Sequence, residues 1–220
     1  MKNEQIEKLI DDLNAGQMVD RVFRTKLAPT VEYARVWLDE PTGKAGNEGS
    51  YEFYFVMTGA GICVGAVLDM VSDFHVFVKE DHRKKGHLSK AMNEIILPYL
   101  YQQGRKEQLV TFRDPQIGAY CERNWGFSLS DSKSAKKDLR IFASCPAIVG
   151  QRRLPSHEEV RSMKIKINRA RLYLTMVKEQ VDLSCGPIDD LGLEDLIDQL
   201  FALKDRIGWS IQDAQGHLEA

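Results

Sequence analysis

The chain has 220 residues, of which 30 are Lys or Arg and 32 are Asp or Glu, giving a formal charge of −2. That balance excludes an overall basic coat for nucleic acid, and no stretch approaches the ~18 apolar residues of a membrane helix. A hydrophobic content of 43% is enough to build a core for one ordinary domain plus an appendage. The opening residues lead into a mixed amphipathic segment and do not read as a signal or transit peptide, so a cytoplasmic location is expected. Cys63, Cys121, Cys145 and Cys185 are far apart, with no C-x-x-C pair. Reduced thiols are therefore expected rather than a zinc site or a disulfide framework.

Ile6, Leu9, Ile10 and Leu13 recur at helical spacing and predict a helix over 3–15, stopped by Gly16. Strand-like residues follow at Val19–Arg24, and Val31–Leu38 suits a strand or a helix equally. Residues 41–50 carry three glycines and predict a loop. Tyr51–Met57 and Ile62–Met70 read as strands joined by the turn Thr58-Gly59-Ala60-Gly61, and Val71–Val78 as another strand. The glycines at 59, 61 and 65 lack G-x-G-x-x-G spacing and no G-K-[ST] follows, which excludes those two nucleotide loops. A helix over 87–101, a strand over 108–112, a short helix over 117–124 and a strand over 138–144 complete a first domain at 1–150. This order predicts an α+β domain with a mixed, mostly antiparallel sheet flanked by helices.

A second segment, 151–220, has a different pattern. Val160, Met163, Ile167, Ala170, Leu174, Val177 and Val181 alternate in steps of three and four, a heptad series. Gly186-Pro187 breaks it, Asp189 or Asp190 can cap a second helix, and Leu196, Leu200, Leu203 and Ile207 continue the pattern. Residues 157–208 thus predict a C-terminal α-helical hairpin. It either pairs with another chain, as a homo-oligomer or with a partner protein, or covers the first domain's sheet. The basic residues Arg152, Arg153, Arg161, Lys164, Lys166, Arg169 and Arg171 could touch nucleic acid, but a charged helix is more often a solvated face, and no nucleic-acid partner is expected.

The segment from Phe74 to Tyr101 concentrates the chemistry. An apolar strand gives way to the basic turn Arg83-Lys84-Lys85-Gly86, and an amphipathic helix starts at His87. A strand–turn–helix of this kind aims free backbone N–H groups at one point, with the positive end of the helix dipole behind them, and so suits phosphate. His82 and His87 flank the turn but form no metal-ligand pattern, and no metal is expected.

Arg83-x-x-Gly86 also resembles the pyrophosphate loop, (R/Q)-x-x-G-x-(G/A), of the GNAT superfamily of N-acetyltransferases. Leu88 stands where that family has Gly or Ala. The segment Ile117–Phe127 resembles the family's later motif, a short helix ending in Gly-Phe, here Gly126-Phe127. The two motifs stand in the family's order and at its distance, and the resemblance covers roughly 19–145. It implies a GNAT-like fold and acetyl-CoA as co-substrate, with the acetyl group passed to an amine by direct attack. The alternative it leaves open is an inactive GNAT-fold binding or structural protein that assembles through its C-terminal helices.

The resemblance also implies roles for particular residues. The pyrophosphate is expected on Arg83, Lys84, Lys85, Gly86, His87, Leu88 and Ser89, and the pantetheine arm on the main chain of Phe77 and Val78, in a gap between strands 74–78 and 108–112. Asp73 and His75 share one face of the first of these strands and are the leading candidates for general base, ahead of Glu52 and Asp69. The family's acidic tyrosine is expected at 122, where this chain has Glu122; Tyr120 lies two residues earlier. The proton donor is therefore Tyr120, Glu122 or water, or there is none.

Overall fold

The structure, a computed structural model, describes residues 1–17, 21–38, 49–151, 153–185 and 192–218. The chain divides into two compact units, Met1–Arg152 and Arg153–Ala220. The expected loop over 41–50 lies largely outside the described residues, as do the start of the strand expected at Val19 and the break at Gly186-Pro187.

The first unit is α+β. Helix α1 (Asn3–Asn14) precedes five strands, β1 (Val22–Ala28), β2 (Val31–Val36), β3 (Tyr51–Met57), β4 (Cys63–Asp69) and β5 (Phe74–Val78), which form one antiparallel sheet in chain order. Val31–Val36, ambiguous in the sequence, is a strand because both edges are paired, with β1 and with β3. The strand expected at Val71–Val78 starts at Phe74. Residues before it make a tight turn in which Val71 takes φ 70° and its N–H donates to Asp69 Oδ1 at 2.8 Å.

Alternation along β3 divides the core. Phe53, Phe55 and Met57 face α1, whose Ile6, Leu9, Ile10 and Leu13 are buried against them. Full burial of each such side chain contributes about 1.5–3 kcal/mol. Tyr54 and Val56 face the other way and join Leu88, Met92, Ile96, Leu97 and Leu100. These belong to one helical run: α2 (His87–Ala91), a π-helical turn (Met92–Ile96) and α3 (Leu97–Gln102). Pro98 explains the π turn, because it has no N–H for the Glu94 carbonyl and its ring crowds that oxygen.

A second sheet of three strands has the order β6-β8-β7, from β6 (Glu107–Thr111), β7 (Ser128–Leu129) and β8 (Ser134–Asp138), with α4 (Pro115–Trp125) between β6 and β7. The last strand lies four residues earlier than the sequence suggests. Ala135 and Lys137 point inward from it, and Leu139–Phe142 is a 3-10 turn. The expected parallel pairing is also absent among the described strands: every ladder is antiparallel, and β5 and β6 belong to different sheets.

The second unit is a pair of helices, α5 (His157–Cys185) and α6 (Leu193–Leu218), packed on each other. The contact face of α5 follows the expected heptad line except at Ala170 and Val177, whereas that of α6 is shifted from it. In α6, Leu196 and Leu203 are 46% and 40% exposed, and the apolar residues Leu193, Ile197, Leu200, Ile207 and Ile211 are half-buried. In α5, Val177 is 46% exposed while Val160, Met163, Ile167, Leu174 and Val181 are half-buried.

Candidate functional site

The strand β5 ends in a single 3-10 turn, Glu80–His82, and the chain then reverses through two residues with positive φ. Lys84 has φ 59° and Gly86 has φ 80°. Such alternation turns successive N–H groups to one side, the geometry of an anion-binding nest. No hydrogen bond among the described residues uses the N–H groups of Lys84 to Ser89; the first helical bond runs from Lys90 N to Gly86 O at 3.0 Å. Arg83, Lys84 and Lys85 are exposed around this point. A Cβ on Gly86 would meet nothing within 4 Å, so the space in front of the loop is open.

Two side chains of the loop have other duties. Leu88 is buried at 9% exposure in the main core, so the residue that departs from the family pattern anchors α2 and does not point to the loop's mouth. Arg83 folds back, and its Nε donates to Val78 O at 3.1 Å. At the other side, Ser89 Oγ and Tyr120 Oη share a hydrogen bond of 2.8 Å, and the Tyr120 ring meets Trp125 edge-on at 5.4 Å. Tyr120 is therefore held at the start of α2. Glu122 is exposed and makes no side-chain contact among those described. The His82 and His87 rings lie 6.1 Å apart and tilted at 51°, and His82 Nδ1 is buried without a hydrogen-bond partner among the described residues.

The gap beside the loop follows from hydrogen-bond parity. Met70 N donates to Asp73 O and Lys79 N to Val64 O, both at 3.0 Å, so the odd-numbered residues of β5 bond to β4. The main-chain groups of Phe74, Val76 and Val78 consequently face the open edge. Phe77, expected to offer its main chain there, is turned toward β4, and its side chain is buried under α1. Val76, its neighbour in sequence, is the residue whose main chain faces that edge. Strand parity alone predicts this once the turn at 70–73 is placed, and the sequence reading missed it by starting the strand too early.

The two sheets touch at the start of β5. Asp73 Oδ1 accepts from Thr111 N at 2.9 Å and from Phe74 N at 2.7 Å, and Oδ2 accepts from the Thr111 hydroxyl. Gln108 Nε2 donates to Ser72 O at 3.1 Å. The Asp73 carboxylate thus ties β5 to β6. His75 lies on the α1 side of β5, with Nε2 2.8 Å from Asn3 Oδ1. Facing that carbonyl oxygen, Nε2 carries the proton and Nδ1 is the basic nitrogen. Burial, and then the nearby chain N-terminus, push the His75 pKa below 6.5. Glu52 pairs with Arg35 at 3.0 Å and Asp69 with Arg105 at 2.8 Å, so neither is a free base.

Among the described residues no group of three or more His, Cys, Asp or Glu gathers to hold a metal. Burial pushes the Cys63 thiol to about 12 and Cys121 to about 11, leaving both neutral. Among the same residues no helix is long and apolar enough to cross a membrane. A scan against models of known protein families found no match, and a search of curated proteins found none either.

Proposed function

We propose that the chain has a GNAT-like domain that binds acyl-CoA, with acetyl-CoA the first donor to test, and transfers the acyl group to an amine. One observation carries the reading: a loop whose N–H groups have no partner among the described residues lies at the end of a strand whose far edge is unpaired among them. The N–H groups of Lys84 to Ser89 would hold the donor's pyrophosphate, with Arg83, Lys84 and Lys85 adding charge. The main chain of Val76 and the N–H of Val78 would pair with its pantetheine arm, the Val78 carbonyl being held by Arg83. The donor supplies an activated thioester, and everything else falls to the protein. A main-chain N–H on the open edge is suited to polarise a carbonyl. The Ser89–Tyr120 hydroxyl pair lies beside the pyrophosphate loop, at the other end of the donor. His75 Nδ1 can therefore accept a proton from the amine, and water can give one to the leaving thiolate. Glu122 has no partner that would orient it for that role.

A second reading, donor binding without turnover, is favoured by the engagement of Asp73 with β6 and of His75 with Asn3. Calorimetric titration with acetyl-CoA, followed by an acetyl-transfer assay over a broad amine panel, separates the two. Binding with transfer supports the enzyme; binding alone supports the second reading; no heat at millimolar donor removes both. Gly86→Val tests the site itself. Its φ of 80° disfavours any side chain, yet nothing crowds the Cβ, so the domain should fold while donor binding is lost. Unchanged affinity in a folded Gly86→Val protein would place the donor elsewhere.

A further inference from the structure

Helix α5 is apolar on two opposite sides. One side, centred on Leu174, is half-buried against α6. The other consists of Ile165, Leu172, Met176 and Leu183, which are 47%, 46%, 62% and 90% exposed. At about 100° per residue these four fall within ~20° of one line, on the side of the helix away from Leu174. A helix in a two-helix hairpin needs one apolar stripe; a second stripe on the opposite side calls for a second neighbour.

The spacing of that stripe says what the neighbour is. From Ile165 to Leu183 the intervals are seven, four and seven, and they read the same in either direction. A two-fold axis at the level of Leu174 then superposes the stripe on itself: Ile165 meets the partner's Leu183, and Leu172 meets the partner's Met176. This is the self-complementarity that a two-fold interface requires. Charge favours the same arrangement. The first half of α5 carries Arg161, Lys164, Lys166, Arg169 and Arg171 against Glu158 and Glu159, whereas the second half carries Glu179 and Asp182 against Lys178. Antiparallel helices lay the basic half on the acidic half, and parallel helices would stack basic on basic.

We propose that the chain forms a homodimer through an antiparallel seam between two copies of α5, with each α6 on the outer side. The proposal stands independently of the acyl-CoA reading. Sedimentation velocity on the full chain should give twice the chain mass, and Leu172→Glu combined with Met176→Glu should halve it. Both residues are exposed in the hairpin, so far-ultraviolet circular dichroism should show the helices retained. A monomeric native chain, or a dimer indifferent to the two glutamates, overturns the seam. Orientation is read by spin labels on Glu158→Cys, with the exposed Cys145 and Cys185 changed to Ser. At 1.5 Å per residue an antiparallel seam separates the labels by about 48 Å. A separation under ~20 Å means a parallel pair and refutes the proposal.

Discussion

Lys137 is a cation where an inward-facing strand position ordinarily takes an apolar side chain. Its Nζ donates to the Trp125 carbonyl at the end of α4 and lies 5.5 Å over the Phe142 ring. Burial lowers its pKa, while the negative end of the helix gives the ammonium a site. Replacement by Met keeps the stem and removes the donor, which should cost about 1–3 kcal/mol and lower the midpoint of urea unfolding. An unchanged midpoint would show that the carbonyls need no cap. This residue also shows why the strand at 134–138 was illegible in the sequence: Ser-Ala-Lys-Lys-Asp has no apolar alternation until the lysine is known to point inward. By contrast, the turn of the loop at Gly86 was legible, because a glycine between an apolar strand and an amphipathic helix marks the junction where φ turns positive. Leu88 looks like a defect in that loop on sequence and proves to be a core residue.

At the scale of the element, ends explain more than interiors. Helix α4 starts with Asp114 accepting from Gln116 N at 2.9 Å and Pro115 in its first turn. It stops at Gly126, φ 66°, with Phe127 buried behind it. The Gly-Phe pair is thus a helix stop with an apolar anchor, a role that any fold can use. Helix α5 begins with a capping box: Glu159 N donates to Ser156 Oγ at 3.2 Å and Ser156 N to Glu159 Oε2 at 2.7 Å. The Arg153 guanidinium, and then the Ser156 N–H, hold the Glu159 carboxyl at about 2, against 4.5 ordinarily. The folded state therefore binds fewer protons than the unfolded one in that window. The contribution is complete above about 4.5 and is lost as pH falls toward about 2. The gap in melting temperature between the native chain and Glu159→Gln should accordingly close across that window; a constant gap would mean that the charge contributes nothing. The heptads of both helices were visible in the sequence. The α5 line is the one half-buried in the hairpin, whereas in α6 Leu196 and Leu203 of the expected line are exposed and Leu193 and Ile197 are half-buried instead.

For the first unit as a whole, the decisive feature is how two sheets are held together while remaining unpaired. On sequence Val31–Leu38 suited a strand or a helix, and of the five-stranded order only the hairpin of β3 and β4 followed from its turn and alternation. The break after β5 did not, because it depends on side chains distant in sequence. Arg105 donates to both oxygens of Asp69, at 3.0 and 2.8 Å, and to Gln108 Oε1 at 2.6 Å, while Gln108 donates to Ser72 O. The Asp69 side chain is only 2% exposed. These groups join the end of β4 to the start of β6, so that with Asp73 and Thr111 they close one end of the gap beyond which β5 runs unpaired. Removing the cation leaves a buried carboxylate without its partner, and Arg105→Ala should destabilise the protein by about 3–5 kcal/mol. Combining it with Asp69→Asn removes the stranded charge and should recover part of the loss, because the penalty lies in the unpaired ion more than in the missing bridge. Equilibrium urea unfolding of the two single variants and the double variant measures this coupling. Strictly additive losses would show that the bridge is incidental and that the sheets are joined by Asp73 and the core alone.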